Sequence, residues 1–142
     1  MLVVDTREQR PLFKPSSWVV DEKLDQGDYS IRGFEDRVVI ERKGLGDLYG
    51  SLGKGRKRFE REIQRIQGYQ WWGLLVEGSE KKMYDSIESY SSLHPNSLYH
   101  SLASLEVQTQ CHIYYARDRR VGKEWVLSRL TRLYRYLREG KI

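Results

Sequence analysis

Residues 27 to 43, GDYSIRGFEDRVVIERK, constrain this chain more tightly than any other stretch. Two short strand-forming runs flank Gly33 to Asp36, where Gly, Glu and Asp replace strand formers, and such a pattern folds as a β-hairpin. With Gly33 to Asp36 as its loop, Arg32 pairs with Arg37, Ser30 with Val39 and Asp28 with Glu41. Alternation then places Tyr29, Ile31, Val38 and Ile40 on one face, an apolar set suited to a core. Asp28, Ser30, Glu41 and Lys43 fall on the other. Directly opposed residues have Cβ atoms about 5 Å apart, so two carboxylates in that position destabilise the hairpin unless a cation shares them.

A divalent cation suits the Asp28 and Glu41 pair. Mg²⁺ takes hard oxygen ligands, keeps several waters, and is commonly completed by phosphate oxygen instead of an all-protein cage. Such an ion polarises a phosphodiester and lowers the pKa of a bound water. Lys43, two residues past Glu41 on the same face, then positions that water or neutralises developing phosphorane charge. The competing reading is a solvated strand end with an i, i+2 ion pair between Glu41 and Lys43. Acid, gap, acid, any residue, lysine is not by itself a specific pattern.

The rest of the chain supplies the frame. Strand-like runs recur at Leu2 to Val4, Trp18 to Val20, Trp72 to Val76 and Ile113 to Ala116. Helical spacing appears at Phe59, Ile63 and Ile66, stopped by Gly68; at Leu98, Leu102 and Leu105 after Pro95 and Asn96; and from about Gly122 to Leu137 along Val126, Leu130, Leu133 and Leu137. MYDSIESY is a weaker helical candidate. The order predicts an α/β fold with a mixed central sheet, antiparallel in its first half and parallel where helices separate the strands. Gly44 to Gly55 and the turn near Pro95 read as mobile. A chain of 142 residues with 39% hydrophobic and 32% charged residues fits one domain, residues 1–142, with a core of its own. No apolar run approaches a bilayer span and the N-terminus lacks a signal-like stretch, so the expected location is cytoplasmic. Cys111, alone in a strand-like context, reads as a small buried hydrophobe.

The residues around the hairpin carry a resemblance. VVDTREQRP, then GDYSI, then VVIERKGLGDL is similar to the XPF-type structure-specific endonuclease domain, whose signature is G-D-x(n)-E-R-K-x3-D preceded by a V-D-x-R-E strand end. Gly27, Asp28, Glu41, Arg42, Lys43 and Asp47 match every position, and RFEREIQRI, GLLVEG and residues 101–130, SLASLEVQTQCHIYYARDRRVGKEWVLSRL, resemble the elements that follow. The resemblance implies a restriction-endonuclease-like fold, Mg²⁺ or Mn²⁺ dependence, and incision of branched DNA such as 3′ flaps, forks or splayed arms in repair, recombination or replication. It makes Asp28 and Glu41 metal ligands and Lys43 the catalytic lysine, and gives roles to Asp5, Arg7, Glu8, Arg42 and Asp47. Asp5 and Glu8, at the end of the first strand, are expected to reach the metal directly or through water. Arg42, pointing away from Lys43, is expected to orient carboxylates such as Asp47; Asp47 itself serves either a second metal or a helix start. Family members usually carry a tandem helix-hairpin-helix module after this domain; the sequence ending at Ile142 reads either as a truncated form or as a stand-alone nuclease domain, which leaves substrate preference and a partner subunit open.

The net charge is +5. Lys and Arg concentrate in GKGRKRFEREIQR and in ARDRRVGKEWVLSRLTRLYRYLR, whereas acids are scattered, a distribution that suits a phosphate backbone as well as a solvated helix face. Gly53-Lys54-Gly55-Arg56 does not match a Walker loop. Lys54, Arg56, Lys57 and Arg58, extended by Arg61 and Arg65, are instead candidates for gripping DNA beside the metal. Trp71 and Trp72 either stack on unpaired bases or open a core strand. His94, His100 and His112 lack metal-ligand spacing. Leu98 to Val107 and Val126 to Leu137 either join two copies in a homodimer or belong to the core. A catalytically silent DNA-binding module and a junction resolvase or restriction-type nuclease are the alternatives to this reading.

Overall fold

The structure, a computed structural model, describes residues Met1–Ile142. In chain order the elements are β1 (Leu2–Asp5), β2 (Val19–Glu22), β3 (Tyr29–Ile31), β4 (Val38–Gly44), α1 (Leu45–Leu52), α2 (Arg56–Ile66), β5 (Trp71–Glu77), α3 (Glu80–Tyr90), α4 (Pro95–Thr109), β6 (His112–Ala116) and α5 (Arg119–Arg138). One six-stranded sheet runs in the order β2-β1-β3-β4-β5-β6. β1 with β3 and β3 with β4 are antiparallel, whereas β4, β5 and β6 are mutually parallel. The expected mixed α/β architecture is present.

Alternation along each strand divides the core in two. Tyr29, Ile31, Val38, Ile40 and Leu75 face α5, whose Val126, Leu130, Leu133 and Leu137 pack on them. Val39, Leu74 and Val76 face the other way, beneath Leu48, Tyr49, Phe59, Met83, Leu98 and Leu102 of α1 to α4. Burial of these side chains drives the assembly, at about 25 cal/mol per Å² of apolar surface removed from water. Leu98, Leu102 and Leu105 of α4 and Val126, Leu130, Leu133 and Leu137 of α5 are therefore core, whereas Tyr99 and Val107 of α4 stay exposed. Trp72 and Cys111 are buried, and Trp71 stacks on His112, so neither tryptophan is free to stack on a base.

Three expectations need correction. Gly44 to Gly55 is not a mobile loop: it holds the end of β4 and all of α1, because Leu48, Tyr49 and Leu52 form an apolar stripe against the sheet and the Tyr49 hydroxyl donates to the Met83 carbonyl (2.6 Å). The first half of the sheet is not wholly antiparallel, since β2 lies parallel to β1 at the edge. The long connection between them permits this, and it returns Leu12 and Phe13 to the core on the α5 side. The β3–β4 loop is longer than four residues, with Phe34 turning back on Ile31 through its amide (2.9 Å), so Arg32 and Arg37 are not a ladder pair. No helix is long and apolar enough to cross a membrane.

Candidate active site

Tyr29 pairs with Ile40, the register expected of the hairpin. Gly27 begins it in a left-handed conformation, φ +77°, and a Cβ there would lie 2.0 Å from Val39 Cγ2. Only glycine lets the chain approach β4 this closely. The next residue, Asp28, is then tied to β4 twice: its amide donates to the Ile40 carbonyl (2.9 Å) and its Oδ2 accepts from the Arg42 amide (2.7 Å). Glu41 and Lys43 project on the same side of β4 as Val39. β4 continues through them to Gly44, so the charges belong to a paired strand of the sheet and not to its frayed end.

A cleft of about 450 Å³ opens over these carboxylates. Asp28 and Glu41 line it with Asp5, Phe59 and Trp72, and Arg7, Arg58, Arg61 and Arg65 rim it. Burial and the neighbouring Glu41 push the Asp28 carboxyl from its ordinary 3.8 up to about 8, against the opposing pull of the Arg42 amide. Glu41 is likewise raised, by burial first and by Glu62 and Glu8 in addition, with Lys43 opposing. Two acids that both resist ionisation in one cleft are an incomplete electrostatic set. Lys43 Nζ lies 3.7 Å from Glu41 Oε1 and 5.0 Å from the centre of the Phe59 ring, an apolar and cation-binding surface that keeps the ammonium beside Glu41.

The other motif residues sit elsewhere in this corner of the sheet. Asp5 is buried and occupied: Oδ1 accepts from the Leu24 amide (2.9 Å) and Oδ2 from Arg7 Nε (2.8 Å). Glu8 Oε2 accepts from the Tyr29 hydroxyl (2.6 Å) and from Arg42 Nη1 (2.9 Å). Tyr29 and Arg42 belong to the face of the sheet that α5 covers, opposite Asp28 and Glu41. No three His, Cys, Asp or Glu side chains are grouped so as to hold a metal; Asp5 lines the cleft with Asp28 and Glu41, but its two oxygens are taken by the Leu24 amide and Arg7, and those of Glu8 are turned to Tyr29 and Arg42. Arg42 does not reach Asp47. Its guanidinium bridges Glu8, Glu77 (2.8 Å) and the Arg10 carbonyl (2.6 Å), while Asp47 stands exposed in the first turn of α1. Arg56 donates to Ser101 of α4, away from the cleft, and Lys54 and Lys57 are exposed outside it. Sequence reasoning gave no role to Tyr29 beyond packing, to Glu77 beyond strand matching, or to Phe59 beyond the helix core. The VEG triplet ending β5 was the one available signal for Glu77.

The model of the ERCC4 domain matches residues 4–128. The chain belongs to the ERCC4 domain family. It is also similar to the solved structure of XPF from Aeropyrum pernix, with a TM-score of 0.71 and 23% identity over 99% of this chain and 68% of that one. A second structure, XPF from Aeropyrum pernix in complex with DNA, gives a TM-score of 0.70 and 25% identity over 94% of this chain and 64% of that one. This ERCC4 domain thus spans about two thirds of the length of those chains. No curated protein matches it. The likeness bears out the restriction-endonuclease-like fold, and the ERCC4 family is one of DNA endonuclease domains, the class that the ERK motif implied.

Within the ERCC4 domain the donor chemistry of the cleft fits a hard divalent ion. Mg²⁺ is commonly held by one or two carboxylates plus water and substrate phosphate, and Asp28 and Glu41 offer two. With Oδ2 of Asp28 engaged by the Arg42 amide, Oδ1 is the oxygen left to face the cleft.

Proposed function

We propose that residues 1–142 act as one nuclease domain, a divalent-metal-dependent endonuclease that hydrolyses phosphodiester bonds in branched DNA. The observation that carries this is the meeting of Asp28 and Glu41 in a cleft rimmed by Arg7, Arg58, Arg61 and Arg65, with Lys43 beside Glu41. Asp28 and Glu41 would hold Mg²⁺ or Mn²⁺, which when bound supplies Lewis acidity and a water of lowered pKa.

The chain's own residues supply the rest. The sheet fixes the Asp28 carboxylate through the Arg42 amide and the Glu41 backbone through pairing with β5, so both acids start from defined positions when substrate arrives. Lys43, held over Phe59, presents its ammonium where negative charge grows on the phosphoryl oxygens. The arginines neutralise the flanking phosphates and set the register of the strand in the cleft. Buried behind the cleft, Arg42 ties β4 to Glu77 of β5 and to Glu8 of the β1–β2 connection, so that the corner moves as one body. Asp5 acts through Arg7, which it holds at the rim.

Purified protein incubated with 3′-flap, fork and linear duplex DNA in Mg²⁺, in Mn²⁺ and in EDTA tests the proposal. Cuts near the branch, present with either ion, abolished by EDTA and reduced at least a hundredfold by Lys43→Ala, are the expected result. Binding without cuts above the Lys43→Ala background in either ion would leave a silent DNA-binding module. Equal cutting of linear duplex would leave a restriction-type nuclease.

A further inference from the structure

The second basic segment of the sequence is not used by the cleft. Residues 118–142 hold eight Lys and Arg against three Asp and Glu, whereas residues 1–117 hold seventeen of each. The whole positive surplus of the protein therefore resides on α5 and the few residues around it. Arg129, Arg132, Arg135 and Arg138 follow one another at intervals of three, all exposed. Such an i, i+3 row runs obliquely across a helix, and four members span about 14 Å along the axis. Arg135 is in a surface pair with Glu139 (3.3 Å), but Arg129, Arg132 and Arg138 have no carboxylate partner. The Arg129 guanidinium lies over the Trp125 ring (5.5 Å), with Nη1 donating to the Ser128 hydroxyl (3.0 Å), and that of Arg138 lies over Tyr134 (6.0 Å), which limits their freedom while leaving most of their donors to solvent.

This ridge and the cleft lie on opposite faces of the sheet. α5 covers the face bearing Tyr29 and Ile40, and the cleft with Arg58, Arg61 and Arg65 lies on the α1 to α4 side. A short straight duplex seated in the cleft does not also reach the exposed face of α5. A branched DNA, whose second arm leaves the junction in another direction, does. We propose that the arginine ridge of α5 binds the sugar-phosphate backbone of the second duplex arm of a branched DNA. The inference rests on the reading that the cleft takes DNA. It assigns α5 the task of distinguishing branched from linear duplex by adding phosphate contacts that only the branched molecule can make.

Fluorescence anisotropy in EDTA, without cleavage, tests it with a two-armed fork and with one arm alone as a short linear duplex. The triple variant Arg129→Gln, Arg132→Gln, Arg138→Gln is expected to lose about tenfold in fork affinity. It should also flatten the salt dependence of fork binding by about three in log–log slope, while linear-duplex affinity stays within about twofold. Arg→Lys at the same positions, which keeps the charge, should restore the fork affinity. Arg61→Gln with Arg65→Gln should weaken both DNAs. If the Gln triple variant binds the fork as the wild type does, the ridge has no second arm to hold and the inference fails, while the cleft pair still reports on the DNA reading. If the cleft pair also has no effect, the DNA reading fails with it. Loss of binding to phosphatidylserine vesicles with fork affinity unchanged would make the occupant a membrane and overturn the proposal.

Discussion

Asp28→Asn is expected to abolish cleavage while making the metal-free protein more stable. Asn is nearly isosteric, and its Oδ1 can still accept from the Arg42 amide, so the tie between Gly27–Asp28 and β4 survives. What disappears is a carboxylate that burial first, and Glu41 in addition, hold above its ordinary range. Because the folded-state pKa of Asp28 is raised from 3.8 to about 8, the folded protein binds more protons than the unfolded chain between those values. Stability from this group is fully present below about pH 4 and is lost as pH rises through about 8. The wild type without divalent ions should therefore melt at progressively lower temperature from pH 5 to pH 8, and the variant should be flatter. At pH 8 the variant should gain ~2 kcal/mol, or ~6 °C in Tm for a chain of this size. Cleavage should fall at least a thousandfold, since a neutral amide is a poor ligand for a hard dication. Thermal melts in EDTA across this pH range, with cleavage measured on the same samples, check both halves. A variant that is no more stable than the wild type at pH 8 would show that burial and Glu41 do not hold the Asp28 carboxyl above its ordinary range.

Gly27→Ala carries the largest expected loss of stability. The new methyl would sit 2.0 Å from Val39 Cγ2 and 3.2 Å from the Ile40 carbonyl oxygen, in a backbone conformation that L residues avoid. Left-handed strain costs about 1 kcal/mol or more, and overpacking a rigid core strand costs 1–3 kcal/mol in typical cases. Together a loss of ~3 kcal/mol is expected, a large share of the 5–15 kcal/mol that stabilises an ordinary domain. Val39 is flanked by Ile40 and lies two residues before Glu41, so relief of the clash also separates Asp28 from Glu41. Denaturant unfolding should show the midpoint displaced with an unchanged slope, and the surviving folded protein should cleave poorly. Wild-type stability in this variant would mean that the turn is not held against β4.

Much of this corner was legible in the sequence because it depends on local alternation. The Tyr29–Ile40 register followed from the position of the turn, and with it the common face of Asp28, Glu41 and Lys43. The six strands were legible for the same reason. What escaped depended on partners far along the chain. Arg42 meets Glu8 and Glu77, thirty-four and thirty-five residues away, because the strand pleat sends it to the α5 side and the parallel register of β4 with β5 brings Glu77 alongside. Its expected partner, Asp47, points into solvent from α1. That helix was itself obscured, since Gly46 and Gly50 suggested a flexible loop while Leu48, Tyr49 and Leu52 were already spaced to pack on the sheet. In the basic segment, composition alone did not separate Arg58, Arg61 and Arg65, which reach the cleft, from Arg56, which α2 turns toward α4. The parallel placement of β2 beside β1 also left no local mark, because it is set by the path of the connection that returns Leu12 and Phe13 to the core.

The central claim is that the hairpin holds Glu41 beside Asp28 as the metal-binding half of a DNA-cutting site. It is tested most directly by single-turnover cleavage of a fork by wild type and Glu41→Gln in Mg²⁺ and in Mn²⁺, with DNA affinity measured in Ca²⁺ on the same preparations. Both proteins should bind the fork with similar affinity and only the wild type should cut it, the variant being slower by at least a thousandfold in either ion. A Glu41→Gln protein that cuts within about tenfold of the wild-type rate would contradict it.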